Sequence, residues 1–139
     1  MFIVDTNVLS EGSRPRPSAK VLDWLAEQPR ALLFTTTICE AELRLGLALL
    51  PAGKRRSSLE EATRRLFSEL FEGHVLTFDR AAASAYAIIS AERRRLGRSI
   101  ATLDAQIAAI ARAHGASVAT RNVADFTDCG IDVVDPWQD

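Results

Sequence analysis

The chain has 139 residues, of which 47% are hydrophobic and 25% charged, with a formal net charge of −1. That length fits one domain, residues 1–139, with a sizeable core, and the composition excludes a disordered chain. No apolar run nears the roughly 20 residues that span a bilayer, Met1-Phe2-Ile3-Val4-Asp5 lacks a signal-peptide pattern, and Cys39 and Cys129 are too few for a disulfide framework or a zinc site, so a cytoplasmic protein with no membrane partner is expected.

Phe2-Ile3-Val4 reads as a buried strand that opens into a polar turn at Asp5-Thr6-Asn7. A Gly/Pro/Arg loop follows, and Ser18 is placed to cap a helix carrying Val21, Leu22, Trp24 and Leu25. Residues 32–35 form the expected second strand. Thr37-Ile38-Cys39-Glu40 fits a capping box and predicts a helix from Ile38 to about Leu50. Residues 54–72 read as one long helix, and 75–78 as a third strand. Helices are expected over 80–96 and 102–114, with strands at 117–120 and 131–134. Strands that alternate with helices predict a parallel five-stranded sheet covered on both faces, a single α/β/α sandwich.

In open parallel sheets, ligands gather beyond the carboxyl ends of the strands. Asp5, Thr6 and Asn7 follow strand one; Thr120, Arg121, Asn122 and Asp125 follow strand four. Glu42 and Asp104 lie near the starts of their helices, bordering apolar faces where an unpaired acid is costly. Several carboxylates in one cleft repel one another, and a hard divalent cation such as Mg²⁺ or Mn²⁺ is the usual compensation. Taken singly, Asp5 as a turn cap and Asp104 as a helix-dipole partner are the simpler readings. No Gly-x-Ser-x-Gly or Walker-type loop is present, which argues against acyl transfer and nucleotide binding. A receiver domain would need a lysine near the last strands, yet the lysines are Lys20 and Lys54.

The charge balance is uneven along the chain. Of 18 acids, five (Asp125, Asp128, Asp132, Asp135, Asp139) fall in residues 122–139 with no base, leaving 13 acids against all 17 bases elsewhere. Arginine dominates those bases, and one run, Arg93-Arg94-Arg95 with Arg98, is a candidate for holding phosphates. Runs of this kind on helices are more often simply solvated faces.

Four segments in order resemble PIN-domain ribonucleases of the VapC toxin type, most of all the FitB-like subgroup. They are Phe2-Ile3-Val4-Asp5-Thr6-Asn7, Cys39-Glu40-Ala41-Glu42-Leu43, Leu103-Asp104-Ala105-Gln106-Ile107 and Ala119-Thr120-Arg121-Asn122-Val123-Ala124-Asp125-Phe126, with Asp135-Pro136-Trp137 near the end. The resemblance spans essentially the whole chain. It implies a PIN fold and hydrolysis of phosphodiester bonds in RNA that depends on Mg²⁺ or Mn²⁺. Asp5, Glu42 and Asp104 match the family's catalytic, metal-binding acids. Asp125 is the expected fourth, with Asn122 the other candidate for that position. Thr6, Asn7, Thr120 and Asn122 match positions that orient those acids. The resemblance further implies a cognate VapB/FitA-like antitoxin, contact with operator DNA only through it, and a homodimer. The alternative is a PIN-fold subunit of a DNA-bound regulatory complex with weak or no nuclease activity.

Overall fold

The computed structural model describes residues 1–139. Strand β1 (Phe2–Val4) leads into a short helix α1 (Thr6–Leu9), and α2 (Ala19–Glu27) precedes β2 (Leu33–Thr36). Helices α3 (Thr37–Ala48) and α4 (Lys54–Arg65) come next, followed by β3 (Val75–Leu76). Helices α5 (Arg80–Arg95) and α6 (Thr102–His114) then lead to β4 (Ser117–Ala119) and β5 (Val133–Val134). The strands pair in the order β3-β2-β1-β4-β5, all parallel. The expected five-stranded parallel sheet between helical layers is therefore present.

β1 occupies the centre of the sheet. Phe2 registers with Leu33 on one side and with Ser117 on the other, and Ile3 and Val4 are fully buried. α6 is the most buried helix. Ala105 and the run from Ile107 to Ala111 are sealed from solvent, and small alanines let α5 lie close along it. Burying Ile107 and Ile110 contributes about 2 kcal/mol each. α6 ends at Gly115, whose φ of +62° is the left-handed cap that glycine adopts without strain.

Four local expectations are revised. The helix after β2 is capped by Thr36, whose hydroxyl accepts from the Cys39 N–H at 3.1 Å, not by Thr37. β2 runs one residue further than expected, because Thr36 still pairs with Leu76. Glu40 is consequently free of any capping role and pairs with Arg44, 2.8 Å away on the helix surface. The single helix expected over 54–72 is α4 followed by a π-helical turn, Leu66–Leu70, which turns Phe71 into the core. Finally, Asp5-Thr6-Asn7 opens a true helix: Asp5 is the N-cap of α1, its carboxylate accepting from the Thr6 N–H at 2.8 Å.

Candidate active site

Asp5 stands at the carboxyl end of the central strand, held by main chain and side chains together. Its N–H continues the ladder to the Ala119 carbonyl at 3.0 Å. Its side chain is 5% exposed, and both carboxylate oxygens are engaged. Oδ1 accepts from the Thr6 N–H, with the Cys39 Sγ at 3.8 Å; Oδ2 accepts from the Thr120 hydroxyl at 2.7 Å and from the Asn7 amide at 3.4 Å. The Thr120 oxygen in turn accepts from the Asn7 amide at 3.2 Å and the Asn122 N–H at 3.1 Å. A hydroxyl carries one proton, so these two incoming donors leave that proton committed to Asp5. Segments more than 110 residues apart are thus tied into one network.

Glu42 sits one turn into α3, half-buried, and its Oε1 accepts from the Thr6 hydroxyl at 3.3 Å. Burial, followed by the charge of Asp5, pushes its carboxyl above the ordinary range, with Asp104 adding to the effect. Asp104 lies in the first turn of α6. Burial, then the charges of Asp125 and Asp5, raises its pKa to about 6, and Arg93 partly offsets this. Asp125 is exposed, on the 3₁₀ turn Val123–Phe126, and its N–H donates to the Asn122 carbonyl at 3.0 Å. Asp5, Glu42, Asp104 and Asp125 therefore share one electrostatic neighbourhood at the carboxyl edge of the sheet. They do not form a closed cage: no three His, Cys, Asp or Glu side chains stand at metal-binding spacing.

The carboxyl of Asp104 has a direct consequence for stability. Its pKa is raised in the fold, so its ionisation opposes folding. That opposition is fully present above pH 6 and is relieved as pH falls from about 6 towards 4. Solvent screening of this half-exposed group leaves an effect of about 1 kcal/mol. The metal-free protein is expected to lose that much between pH 4 and 7 relative to Asp104→Asn, which lacks this titration. Paired denaturant titrations at the two pH values check this, and an equal change in unfolding free energy for the two proteins would contradict it.

Two residues that sequence reasoning did not single out support the site. Arg93 was expected, within its basic run, to be available for phosphates; it is instead 6% exposed and points inward. Its Nε donates to the Arg98 carbonyl at 2.6 Å, and its Nη1 to the Asp125 and Thr127 carbonyls at 3.2 and 2.7 Å. It clamps the loop that carries Asp125. The spacing of Ala82, Ala85, Ile89 and Arg93 along the inner face of α5 is the signal that would have revealed it. Cys39 is fully buried, and burial together with the charge of Asp5 pushes its thiol up to about 12. It stays protonated and serves as a weak donor to Asp5 rather than as a thiolate.

Beside this site runs a groove of about 610 Å³ between α1, its following turn, α3 and α4, lined by Leu9, Gly12, Leu43, Leu47, Leu59 and Leu66. The turn after α1 is braced by Glu11, buried to 3% exposure, whose carboxylate accepts from the Ser18 N–H at 2.9 Å and lies 3.6 Å from Arg14.

Comparison with known proteins agrees with this geometry. The PIN domain model matches residues 2–128. The chain is 45% identical over 138 residues to the plasmid stability protein StbB of Pseudomonas syringae pv. tomato, covering 99% of both chains. It is 40% identical to the VapC ribonuclease Y4jK of Sinorhizobium fredii, again over 99% of both. Among solved structures it is similar to FitAcB from Neisseria gonorrhoeae, with a TM-score of 0.93 and 39% identity over 99% of both chains. A structure of FitAB bound to an IR36 DNA fragment matches with the same TM-score and identity, covering 99% of this chain and 96% of that one. With its central Asp5, its parallel sheet and this match along nearly its whole length, the chain belongs to the PIN domain family.

Proposed function

We propose that the chain is the toxin of a toxin–antitoxin pair and an endoribonuclease that hydrolyses RNA at the Asp5 end of the sheet. The observation that carries this reading is the charge arrangement. Burial, joined by the charge of Asp5 at Glu42 and by those of Asp125 and Asp5 at Asp104, raises both carboxyls, while the base that tempers Asp104, Arg93, is committed to backbone carbonyls. Such an all-oxygen donor set fits a hard divalent ion, Mg²⁺ or Mn²⁺, held by Asp5, Glu42, Asp104 and Asp125 directly or through waters. Bound there, an ion of this kind polarises the phosphodiester, makes water a better nucleophile and stabilises the leaving oxygen. The chain's own residues position the acids. Thr6 and Thr120 hold opposite oxygens of Asp5, the Thr6 hydroxyl also holds Glu42, and Asn7 ties Asp5 to Thr120. Arg93 fixes the turn bearing Asp125, with Asn122 supplying the carbonyl that starts that turn.

The groove beside the site suits an amphipathic segment of a VapB/FitA-like antitoxin, whose apolar side chains would meet Leu43, Leu47 and Leu59. Operator DNA would be reached through that partner, since the site edge of this chain is acidic. Exposed Ile88, Leu96 and Leu103 on and beside α5 and α6 offer a face for the second copy of a homodimer. No helix is long and apolar enough to cross a membrane.

The test is incubation of purified, antitoxin-free protein with single-stranded and structured RNAs in Mg²⁺, Mn²⁺ or EDTA. Cleavage is expected with either metal and not with EDTA. Intact RNA across the panel, from protein shown by circular dichroism to be folded, would overturn the assignment.

A further inference from the structure

An acidic cleft repels the polyanion it is proposed to cut, so a cation must hold the strand beside it. Eight of the fifteen arginines are engaged elsewhere. Arg14, Arg44, Arg56, Arg64, Arg65, Arg98 and Arg112 have carboxylate partners, and Arg93 is turned inward on carbonyls. Arg121 differs from all of these. It directly follows Thr120, and its N–H donates to the Asn7 side-chain oxygen at 3.2 Å, so its backbone belongs to the network around Asp5. Its side chain is exposed and forms no ion pair, and its guanidinium lies over the Trp137 indole, 5.1 Å from the ring centroid. An arginine covered on one face by an aromatic ring keeps its N–H edge open for an oxyanion.

Trp137 is itself held in place. Its N–H donates to the Asp135 carboxylate at 2.9 Å, the Gln138 and Asp139 N–H groups return to the Asp135 carbonyl, and Lys20 donates to the Gln138 carbonyl at 2.7 Å. The C-terminal turn after β5 is thereby fastened to α2 as a platform. Arg121 and Trp137 follow β4 and β5, so both lie at the same carboxyl edge of the sheet as Asp5.

We propose that Arg121, supported by Trp137, binds a backbone phosphate of single-stranded RNA flanking the bond to be cut. This deepens the ribonuclease reading and rests on it. Arg121 is a substrate-binding residue here, and Trp137 acts through it as a positioning residue.

The experiment compares full-length wild type, Arg121→Ala, Arg121→Lys and Trp137→Ala in two ways. Steady-state cleavage of a single-stranded RNA gives kcat and KM. Fluorescence anisotropy of a labelled oligonucleotide in EDTA, from 50 to 300 mM KCl, gives affinity and its salt slope. Arg121→Ala is expected to raise KM and Kd roughly tenfold with kcat little changed. Its slope of log K against log salt should be shallower by about 0.7, the value for one phosphate contact on a single strand. Arg121→Lys should retain the slope and recover part of the affinity. Trp137→Ala should weaken binding a few-fold with the slope retained, because the charge remains. If wild type cleaves RNA while Arg121→Ala matches it in KM and in salt slope, the Arg121 assignment fails and the nuclease assignment stands. If wild type binds RNA without cutting it, the salt slope still decides the role of Arg121. If wild type neither binds nor cuts, both fall.

Discussion

Replacing Asp5 by asparagine is expected to lower RNA cleavage by about three orders of magnitude or more. Asparagine is nearly isosteric with aspartate and also caps helices well, so it can still accept from the Thr6 N–H and open α1. What it removes is the charge at the centre of the acid set and one carboxylate oxygen, the acceptor for the Thr120 hydroxyl. Thr120→Val tests the support separately, because it keeps the shape and deletes the donor. It should reduce cleavage about 10–100-fold, the usual cost of losing a partner that orients a metal ligand, and Thr120→Ser should restore most of it. Initial rates on one RNA substrate, with thermal unfolding alongside, separate chemistry from folding. An Asp5→Asn protein within tenfold of wild type would remove Asp5 from the mechanism.

The second large effect is on stability. Arg93→Met should destabilise the fold by about 3 kcal/mol, because it strands the Arg98, Asp125 and Thr127 carbonyls that the guanidinium satisfies. For a chain of this size the melting midpoint falls by roughly 10 °C. Methionine retains much of the packing volume, so the loss reports the hydrogen bonds more than a cavity. Arg94→Ala, one residue along and exposed, should change stability by less than about 0.5 kcal/mol. Calorimetry on the two variants checks this. Equal midpoints would show that the clamp contributes nothing. Cleavage by Arg93→Met, measured below its melting range, should also fall, since the turn carrying Asp125 loses its anchor.

The parallel sheet was legible because each strand is a short apolar run set off by turn residues, and helical periodicity separates them. The acid set was legible as a list but not as an arrangement. Asp5 is marked by its place after Phe2-Ile3-Val4, whereas Asp104 becomes unusual only through its burial in the fold, with the charges of Asp125 and Asp5 adding to it. Cap assignment failed by one residue for a tertiary reason. Thr36 and Thr37 are equally good caps locally, and only the pairing of Thr36 with Leu76 decides which one ends the strand. Arg93 was obscured because three consecutive arginines look alike in sequence. The inner face of α5 singles out the one that lies in line with Ile89 and Ala85. The break at Leu66 has no Pro or Gly to announce it. It follows from the need to bring Phe71 into the core.

The central position of β1 also imposes a timetable on synthesis. The first strand made is flanked by β4, which is among the last segments to leave the ribosome, and the hydroxyl that fixes Asp5 belongs to the residue just after that strand. A nascent or prematurely ended chain lacking Thr120 holds Asp5, Glu42 and Asp104 but has nothing to seal one edge of β1 or to lock Asp5 in place. Closing contacts this distant in sequence comes late in folding. Translation products that end before Thr120 are therefore expected to be inactive at the proposed site, because Asp5 lacks the hydroxyl that fixes it.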